Sequence, residues 1–388
     1  MTVAERVVIL GSTGSVGVNT LNVIEGLSDR FEVVGLAAHR NIDLLEQQVR
    51  KHRPRVVGVV DEAQAAELRR RVGDAVRVEG GAGALEQVCT VEPFDLLVVA
   101  TGGTLSLGPT LTVADRVRRI AIANKELLVM AGELLTKRVR GSGTALLPID
   151  SEHSAIFQCL DGRGRDVKRL YLTGSGGPLR TVPKERFADV TPEEAVNHPK
   201  WKMGKKISVD SATMMNKGLE IIEARWLFNV PVDRVQVLVH PEAIVHSMVE
   251  FVDGSVIAQL AVPDMRLPIQ YAMTYPDRLP SPVASVDFPR VAQLTFEAPD
   301  TGKFPCLRLA YEVATQGGTA PCVFNAANEI AVAAFLDHRI RLPEIPVLIE
   351  ETLARHRCVE GATLDQVLEA DRWARQTAEE LIGQAARA

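Results

Sequence analysis

The chain has no long hydrophobic run, no closely spaced cysteine pair and no marked excess of charge of one sign. No apolar stretch in the 388 residues approaches the length of about 20 residues that spans a bilayer. The first predicted strand begins by Val7, which leaves no room for a signal or transit peptide. The five cysteines form no CxxC pair, which argues against a disulfide framework and a thiolate metal site. These absences predict a cytoplasmic protein with no membrane partner.

The charge is also too small and too dispersed for a nucleic-acid-binding protein. The formal net charge is -5, and no basic stripe is present to neutralise a phosphate backbone. With 46% hydrophobic and 24% charged residues, and with no repeat or low-complexity tract, the composition is that of a globular protein. A chain of 388 residues is expected to form two or three domains.

Residues 6 to 149 alternate apolar strands with helix-like segments. The predicted strands are RVVIL, FEVVGLAA, RVVGVV, DLLVVAT, RIAIAN and TALLPI, and segments such as IDLLEQQVRKH between them are typical of helices. This alternation indicates βαβ units and a parallel sheet. We therefore expect residues 1–149 to form a doubly wound, Rossmann-like α/β domain.

The pattern changes after Asp150. The runs VKRLYLTG, VQVLVH, HSMVEFV and SVIAQLAV alternate as half-buried strands do, and a DG turn separates the last two. Prolines crowd between residues 276 and 305, and the remainder reads as helices, in which the simple interpretation of Asn325, Asn328 and Glu329 is that of exposed positions. The sequence predicts a central α+β domain over 150–275, a linker over 276–305 and a helical domain over 306–388.

A glycine-rich loop follows the first strand and precedes a helix. Gly11, Gly14 and Gly17 are spaced as GxxGxxG, so that loop and helix N–H groups can hold a pyrophosphate, although a tight turn without a ligand is the alternative. Arg40 and Asn41 follow the second strand, where an NAD site usually has an acidic residue. An arginine there attracts the 2′-phosphate of NADPH, unless it is only a solvated surface charge.

Two further strands end in polar residues. Asn124, Lys125 and Glu126 follow one strand, where they are placed for a ligand or simply form a helix cap with a solvated lysine. Asp150 and Glu152 follow the other in PIDSEHSAIF, and in an extended segment they would share one face. Convergent carboxylates favour a cation such as Mg²⁺ or Mn²⁺. The alternative is an Asp cap and a first-turn Glu opening the helix EHSAIFQCL.

The segment ISVDSATMMNKGLEIIEARWLF, residues 207 to 228, predicts a helix from about Ser211. The helical period gives it a core face formed by Met215, Leu219, Ile222 and Trp226. Asn216, Lys217 and Glu220 cluster beside that face, so that Glu220 is a candidate third metal ligand and Ser211, Asn216 and Lys217 suit a phosphate. The alternative for Lys217 and Glu220 is an ordinary surface ion pair.

A polar loop of about residues 175–205 separates LTGSGGP from HPKWKMG. Glycines at one end, and His198, Trp201 and Met203 at the other, are typical of a lid that excludes water from a closed site. His198 is then a phosphate donor and Trp201 a cover for a small substrate. Local packing is the alternative for all three, and for Met203 by itself it is the better interpretation.

With these segments in place, the chain closely resembles the 1-deoxy-D-xylulose 5-phosphate reductoisomerase family over essentially its whole length. The motifs that carry the resemblance are GSTGSVG, ANKE, PIDSEHSAIFQ, LTGSGGP, HPKWKMGKKISVDSATMMNKGLEIIEARWLF and VHPEAIVHSMVEF. The resemblance implies an NADPH domain, a central catalytic domain that also makes the contact of a homodimer, and a C-terminal helical bundle.

The activity that the resemblance implies is an isomerisation and reduction in the non-mevalonate isoprenoid pathway. NADPH and Mg²⁺ or Mn²⁺ would serve the conversion of 1-deoxy-D-xylulose 5-phosphate to 2-C-methyl-D-erythritol 4-phosphate, through carbon–carbon cleavage and re-formation. The competing hypothesis is another NADPH-dependent oxidoreductase that acts on a small phosphorylated carbonyl compound; simple hydride transfer would not require the carboxylate triad.

The resemblance also implies residue roles. The metal ligands would be Asp150, Glu152 and Glu220. The substrate would contact Lys125, Ser151, Glu152, Ser175, His198, Trp201, Met203, Ser211, Asn216, Lys217 and Glu220. The cofactor would contact Gly11, Thr13, Gly14, Ser15, Val16, Gly17, Arg40, Asn41, Asn124, Glu126 and Gly204. For proton transfer the candidates are Lys125, Glu152 and His153.

Overall fold

The computed structural model describes residues 4–385 except residues 91, 163, 199, 200 and 202. The larger sheet contains β1 (Glu5–Leu10), β2 (Phe31–Ala38), β3 (Val56–Val59), β4 (Arg77–Gly80), β5 (Leu96–Val99), β6 (Arg119–Ile122) and β7 (Ala145–Pro148). Every neighbouring pair is parallel, and the strand order is β4-β3-β2-β1-β5-β6-β7. The predicted doubly wound sheet is confirmed.

The order of this sheet identifies where a ligand crevice forms. The chain builds outward from β1 to β2, β3 and β4, and then returns to the other side of β1 with β5. Crevices open beyond the carboxyl ends of strands where the order reverses in this way. The loop after β1 therefore lies at the switch point of the sheet.

The helices between these strands follow the predicted alternation. They are α1 (Ser15–Gly26), α2 (Ile42–His52), α3 (Glu62–Val72), α4 (Ala84–Thr90), α5 (Leu107–Val113), α6 (Lys125–Ser142) and α7 (Ser151–Leu160). Strand β4 was not predicted from the sequence. Its residues Arg77–Gly80 lie at the sheet edge and only Val78 is buried, so that no apolar run marks it.

The smaller sheet contains β8 (Val167–Gly174), β9 (Val235–Val239), β10 (Val245–Phe251) and β11 (Val256–Leu260). The order is β11-β10-β8-β9; β8 and β9 are parallel, and the other pairs are antiparallel. The predicted mixed sheet is confirmed, with β11 at one edge. Between β8 and β9 lie the helices α8 (Pro192–Val196), α9 (Lys205–Ala212) and α10 (Met215–Phe228). Helix α11 (Arg266–Thr274) follows β11 and belongs to the first of the two units described below.

The C-terminal part is helical, as the sequence predicts. Its helices are α12 (Phe288–Val291), α13 (Pro305–Gln316), α14 (Ala320–Leu336), α15 (Glu344–Arg355) and α16 (Leu364–Ala385). Helix α10 packs closely on α13, because a Cβ atom added at Gly218 would lie 2.6 Å from the Cβ of Ala310. No described helix combines the length and the apolar character that crossing a lipid bilayer requires.

Contacts divide the chain into two compact units. The first comprises Met1–Leu127, Leu135–Ser154 and Asp264–Val283, and the second comprises Leu128–Leu134, Ala155–Pro263 and Ala284–Ala388. The parallel sheet belongs to the first unit, and the mixed sheet and helices α13 to α16 belong to the second. These cuts differ from the predicted domains 1–149, 150–275 and 306–388, whose boundaries stay a prediction. Within the predicted linker, Glu297 forms a β-bridge with Val239.

The predicted continuous helix from about Ser211 is wrong, because the segment forms α9 and α10 with a break between them. Met214 has left-handed backbone angles, φ 58° and ψ 12°. The Thr213 hydroxyl donates to the Val209 carbonyl at 3.1 Å and accepts from the Met215 N–H at 3.4 Å, so a side chain competes with the helical backbone bonds. The predicted core face of α10 is otherwise confirmed; Met215, Leu219 and Ile222 are buried and Trp226 is partly buried.

Candidate active site

The loop after β1 is a backbone cradle that only glycine can form. Gly11 has a φ of +89°, and a Cβ atom there would lie 2.6 Å from the Ala100 carbonyl oxygen at the end of β5. A Cβ atom at Gly17 would lie 2.3 Å from the Gly11 carbonyl oxygen. Gly14 is exposed directly before α1, whose first-turn N–H groups have no intrahelical acceptor. The loop therefore offers open backbone donors for an anion at the switch point.

The same loop is joined to the end of β2. The N–H groups of Gly11 and Ser12 both donate to the Ala37 carbonyl at 2.9 Å. The Ser12 hydroxyl donates to Gln48 of α2 at 2.7 Å, and the Gln48 amide donates to the Ser12 carbonyl at 2.8 Å. Residues that follow β2 are thereby held beside the glycine loop.

Arg40 and Asn41 lie exposed at this position. The Asn41 side chain caps α2 by accepting from the Leu44 N–H at 3.3 Å. Both residues are exposed, and a guanidinium with an amide donor suits a phosphate beside the glycine loop. Thr13, Ser15 and Val16 lie between Gly11 and Gly17 in the same loop, at partly buried or exposed positions.

Asn124 is a buried helix cap. Its side-chain oxygen accepts from the Leu127 N–H at 2.9 Å, and its amide donates to the Gly103 carbonyl at 2.9 Å and to the Ser106 hydroxyl at 3.2 Å. The cap interpretation of this segment is confirmed for Asn124, whose amide orders the loop after β5. A direct contact between Asn124 or the neighbouring Glu126 and a cofactor stays a prediction.

Lys125 is a buried residue and not a solvated one. The side chain is 10% exposed, and its ammonium forms an ion pair with the Asp150 carboxylate. The fully buried His153 places Nδ1 3.3 Å from the same carboxylate. A lysine, an aspartate and a histidine thus share one buried site at the carboxyl ends of β6 and β7.

Asp150 and Glu152 do not form the extended segment that the sequence analysis assumed. Helix α7 begins at Ser151, and the Ser154 N–H donates to the Asp150 carbonyl at 2.8 Å, so Asp150 precedes the helix and Glu152 lies in its first turn. The argument from a shared strand face is therefore wrong, and the helix-start alternative describes the backbone. The Ser151 hydroxyl donates to Glu152 at 2.5 Å.

In the second unit Glu220 is fully buried between two donors of its own helix. Lys217 Nζ lies 2.5 Å from one carboxylate oxygen and Asn216 Nδ2 lies 2.6 Å from the other. The side chains of Lys217 and Glu220 are 8% and 0% exposed. The surface-pair interpretation is wrong, because this ion pair is out of water. The buried side-chain oxygen of Asn216 has no hydrogen-bond partner among the described residues.

The loop after β8 packs against the start of this cluster. Gly177 has a φ of +69°, and a Cβ atom there would lie 2.3 Å from the Ser211 carbonyl oxygen. A Cβ atom at Gly174 would lie 2.8 Å from Cε of Lys217. The glycines of LTGSGGP therefore let Ser175 approach the ends of α9 and α10. Ser175, Ser211 and Lys217, predicted as phosphate-binding residues, lie in one region of the second unit.

His198 joins that region as a neutral imidazole. Its Nδ1 accepts from the Trp201 N–H at 2.9 Å, so the proton is on Nε2, which donates to Ser175 Oγ at 3.1 Å. Burial lowers the pKa of His198, and the nearby charge of Lys217 lowers it further. The imidazole is thus held in one tautomer with a defined donor direction.

The predicted lid of about residues 175–205 includes Pro199, Lys200 and Lys202, which lie outside the described residues. Trp201 and Met203 are partly buried, and Gly204 is exposed immediately before α9. Their positions next to His198 and Ser211 fit a cover for the phosphate-binding region. Closure of this segment stays a prediction.

One buried polar group near the site was missed by the sequence analysis. Asp210 accepts from Asn328 Nδ2 at 2.9 Å and from Lys206 Nζ at 2.8 Å. Asn325 and Asn328 are fully buried, so their expected exposure is wrong. A signal was present, because asparagines three residues apart in the otherwise apolar helix APCVFNAANEIAVAAFL indicate a buried polar position.

Comparisons with known proteins agree on one family. A family model for 1-deoxy-D-xylulose 5-phosphate reductoisomerase matches residues 7–132, and a model for the C-terminal domain of that enzyme matches residues 146–228. A third model, described as the DXP reductoisomerase C-terminal domain, matches residues 260–377. The three matches follow one another along the chain.

Full-length relatives match to the same extent. A 1-deoxy-D-xylulose 5-phosphate reductoisomerase of Acetivibrio thermocellus is 50% identical over 97% of this chain and 99% of its own. The Zymomonas mobilis reductoisomerase in complex with NADPH superposes with a TM-score of 0.93 at 43% identity, covering 98% of this chain and 99% of that one. A DOX-P reductoisomerase in complex with NADPH, fosmidomycin and magnesium gives 0.93 at 38% identity, covering 99% and 100%. The chain belongs to the 1-deoxy-D-xylulose 5-phosphate reductoisomerase family.

Proposed function

We propose that the protein catalyses the NADPH- and divalent-metal-dependent isomerisation and reduction of 1-deoxy-D-xylulose 5-phosphate to 2-C-methyl-D-erythritol 4-phosphate. Relatives at 43% and 38% identity were solved with NADPH, and the second of them also holds fosmidomycin and magnesium. The observation in this chain that carries the proposal is the fully buried Glu220 with Lys217 and Asn216 around it. Simple hydride transfer to a carbonyl requires no such carboxylate.

NADPH fits the first unit at the glycine loop. The cradle that Gly11, Gly14 and Gly17 leave open is filled by the pyrophosphate, which Thr13, Ser15 and Val16 surround. Arg40 and Asn41 bind the 2′-phosphate, and Asn124, Glu126 and Gly204 lie toward the nicotinamide. When bound, NADPH supplies the hydride. The absence of a carboxylate at the end of β2 is what favours NADPH over NADH.

A hard divalent cation, Mg²⁺ or Mn²⁺, fits the donor set Asp150, Glu152 and Glu220, which consists of carboxylate oxygens only. Asp150, which is partly buried, and Glu220, which is fully buried, each form an ion pair with a lysine ammonium, and a positive neighbour of this kind favours the charged form of a carboxyl group. When bound, the metal polarises the substrate carbonyl as a Lewis acid. Lys125 and Ser151 orient the substrate backbone beside these carboxylates.

The substrate phosphate binds to the donors of the second unit. Ser175 Oγ already accepts from His198 Nε2 and from the Gly177 N–H at 3.2 Å, so its own hydrogen is directed to a ligand oxygen. Ser211, Asn216 and Lys217 complete the set of donors, in which Lys217 is also paired with Glu220, and Trp201 and Met203 cover the carbon chain. Binding energy from the phosphate drives closure of the segment that carries His198.

Proton transfer is assigned to the groups beside Asp150. Lys125, Glu152 and His153 are the candidates, since each bears an ionisable group next to the proposed substrate carbonyl and hydroxyl oxygens. His153 is the one whose ring is fully buried, with Nδ1 3.3 Å from the Asp150 carboxylate as a proton-transfer partner.

We propose further that the protein is a homodimer joined through the mixed sheet. Strand β11 is an edge strand, and the exposed fractions of Val252, Val256 and Ile257 at this edge are 68%, 50% and 41%. An apolar sheet edge left in water is a ready template for pairing, and a second copy would cover it. A cytoplasmic location is proposed as well, since all five cysteines are free thiols and fit a reducing compartment.

The proposed activity is tested by following NADPH absorbance with 1-deoxy-D-xylulose 5-phosphate, with and without Mn²⁺, and again with NADH. Consumption that requires the metal and prefers NADPH is expected. Consumption without added metal after chelation would contradict the role of the carboxylates. If the protein binds NADPH but does not consume it, the cofactor assignment stands and the substrate assignment is wrong.

A further inference from the structure

A cavity of about 250 Å³ lies in the second unit, and none of the residues proposed to bind substrate, cofactor or metal lines it. Two buried aromatic rings, Phe187 and Phe304, form one side, with ring centroids 5.8 Å apart. Leu342, Pro346 and the exposed Val347 also line the cavity. The walls are therefore apolar, and the volume suits a small organic group.

Two lysine side chains, Lys184 and Lys303, line this mainly apolar cavity. Lys303 Nζ lies 5.5 Å from the centre of the Phe187 ring and 5.2 Å from that of Phe304, within the range of cation–π contact. Lys303 donates to the Arg180 carbonyl at 2.7 Å, and Lys184 donates to the Gly302 carbonyl at 2.8 Å. Neither ammonium forms an ion pair with a carboxylate in the described part of the chain.

The acidic residue in the cavity wall does not neutralise these lysines. Glu350 accepts from Arg308 at 3.0 Å, and Arg308 also bonds to Glu312 at 2.7 Å, so Glu350 is directed to Arg308 and forms no ion pair with either lysine. Lys303 and Lys184 remain as two positive charges whose neutral carbonyl partners leave donors unused, since an ammonium has three. Burial lowers the pKa of Lys303, and the attraction of Asp300 and Glu185, neither of which pairs with it directly, offsets this only in part.

We propose that this cavity binds a small amphipathic anion, with its apolar body between the Phe187 and Phe304 rings and Val347, and its phosphate or carboxylate on Lys303 and Lys184. Each half of such a ligand matches what the site presents. The apolar half covers the exposed Val347, and the anionic half supplies the directly bonded anion that neither ammonium group has. Inorganic phosphate alone lacks the first half, and a neutral alcohol lacks the second.

Isothermal titration calorimetry of the full chain with hexyl phosphate tests this proposal. Hexyl phosphate is expected to bind at least about tenfold more tightly than either 1-hexanol or inorganic phosphate, since a hydrogen bond to a charged group contributes about that factor. Lys303→Met, which keeps the length of the side chain and removes its charge, is expected to weaken binding by about tenfold or more. Lys51→Met removes a charge that pairs with Glu25 elsewhere and is expected to change nothing.

Two exposed positions keep the test valid if Lys303→Met fails to fold. Lys184→Met and Val347→Asp alter the mouth of the cavity without touching the core, and both are expected to weaken hexyl phosphate binding. Unchanged affinity in all three cavity variants would overturn the proposal. Equal affinities for 1-hexanol and hexyl phosphate would also overturn it, because the anionic group would then contribute nothing. Hexyl phosphate binding that is lost in Lys217→Met and kept in Lys303→Met would overturn it as well, because the probe would then occupy the proposed phosphate site.

Discussion

Glu220 illustrates how a single buried charge links stability to the proposed chemistry. Its carboxylate accepts from Lys217 and Asn216, and no part of its side chain is exposed. Breaking a buried ion pair by removing one partner costs about 3–5 kcal/mol, because the other charge is left without compensation. A protein retains such an arrangement at a functional position more readily than at a structural one.

Glu220→Gln keeps the shape of the side chain and removes its charge. We expect turnover to fall by more than about 100-fold, since even residues that only support metal ligands cost 10- to 100-fold when changed. The affinity for NADPH, measured by calorimetry, is expected to stay nearly unchanged. Glu351→Gln, at an exposed position of α15, is the matched control and should retain full activity. Full metal-dependent activity in Glu220→Gln would remove this residue from the metal site.

His198 should titrate below the usual histidine pKa of about 6.5. Burial lowers its pKa first and Lys217 second, so Lys217→Met is expected to raise the pKa part of the way back. Because the folded-state pKa is lowered, protonation favours the unfolded chain. This histidine therefore reduces folding stability as the pH falls below about 6.5 and has no such effect above it. An NMR titration of the imidazole measures the pKa directly; a value above 6.5 would contradict the buried, neutral geometry.

At the scale of the structural elements, the glycine loop between β1 and α1 has a backbone that leaves no space for a side chain at Gly17. Gly17→Ala would place a methyl group 2.3 Å from the Gly11 carbonyl oxygen and 2.5 Å from the Ser12 Cα, both of which are backbone atoms. We expect a loss of about 1–3 kcal/mol in urea unfolding and weaker NADPH binding, since overpacking at a fixed backbone is not relieved by a rotamer change.

Gly26→Ala is the control within the same helix. Nothing lies within 4 Å of the Cβ position, so the substitution should be neutral or stabilise the protein by up to about 1 kcal/mol. Equal urea midpoints for Gly17→Ala and Gly26→Ala would show that the close approach of α1 to the loop is not required.

The spacing of apolar residues within a segment predicted the strands and helices whose structure depends mainly on that segment alone. The strand VKRLYLTG and the helix IDLLEQQVRKH appear with the predicted bounds, as β8 and α2, because their apolar residues recur at the right period. The break at Met214 was not predictable in this way. It depends on the Thr213 hydroxyl and on two buried methionines, which only the assembled core fixes.

For the candidate site, too, the sequence predicted one part and not the other. It predicted which residues form the site, because Asp, Glu, Lys and Asn at strand and helix ends are chemically specific. It did not predict their geometry: the pattern left open whether Lys125 is solvated or faces a ligand, and it is buried against Asp150. Asn328 was read as a simple exposed helix position, and it binds Asp210 in the core. Burial is a property of what packs from elsewhere in the chain, so a single segment does not reveal it.

For the whole molecule, the exposed edge of the mixed sheet predicts an assembly. Ile257→Lys on β11 puts a charge where the proposed partner strand would lie, and we expect it to halve the mass measured by light scattering at micromolar concentration. Val359→Lys changes an exposed valine outside both sheets and should leave the mass unchanged. A wild-type mass equal to one chain would contradict the dimer.

The central claim, that one protein both rearranges and reduces its substrate, is tested most directly by the carbon skeleton of the product. The chain would be incubated with 1-deoxy-D-xylulose 5-phosphate, NADPH and Mg²⁺, and the product examined by proton NMR. The substrate is a methyl ketone and already gives a methyl singlet, whereas rearrangement places the methyl group on a quaternary carbon that bears a hydroxyl. The account therefore predicts that the ketone singlet is replaced by a new methyl singlet at higher field. A methyl doublet would show that the ketone had been reduced without rearrangement, and would contradict it.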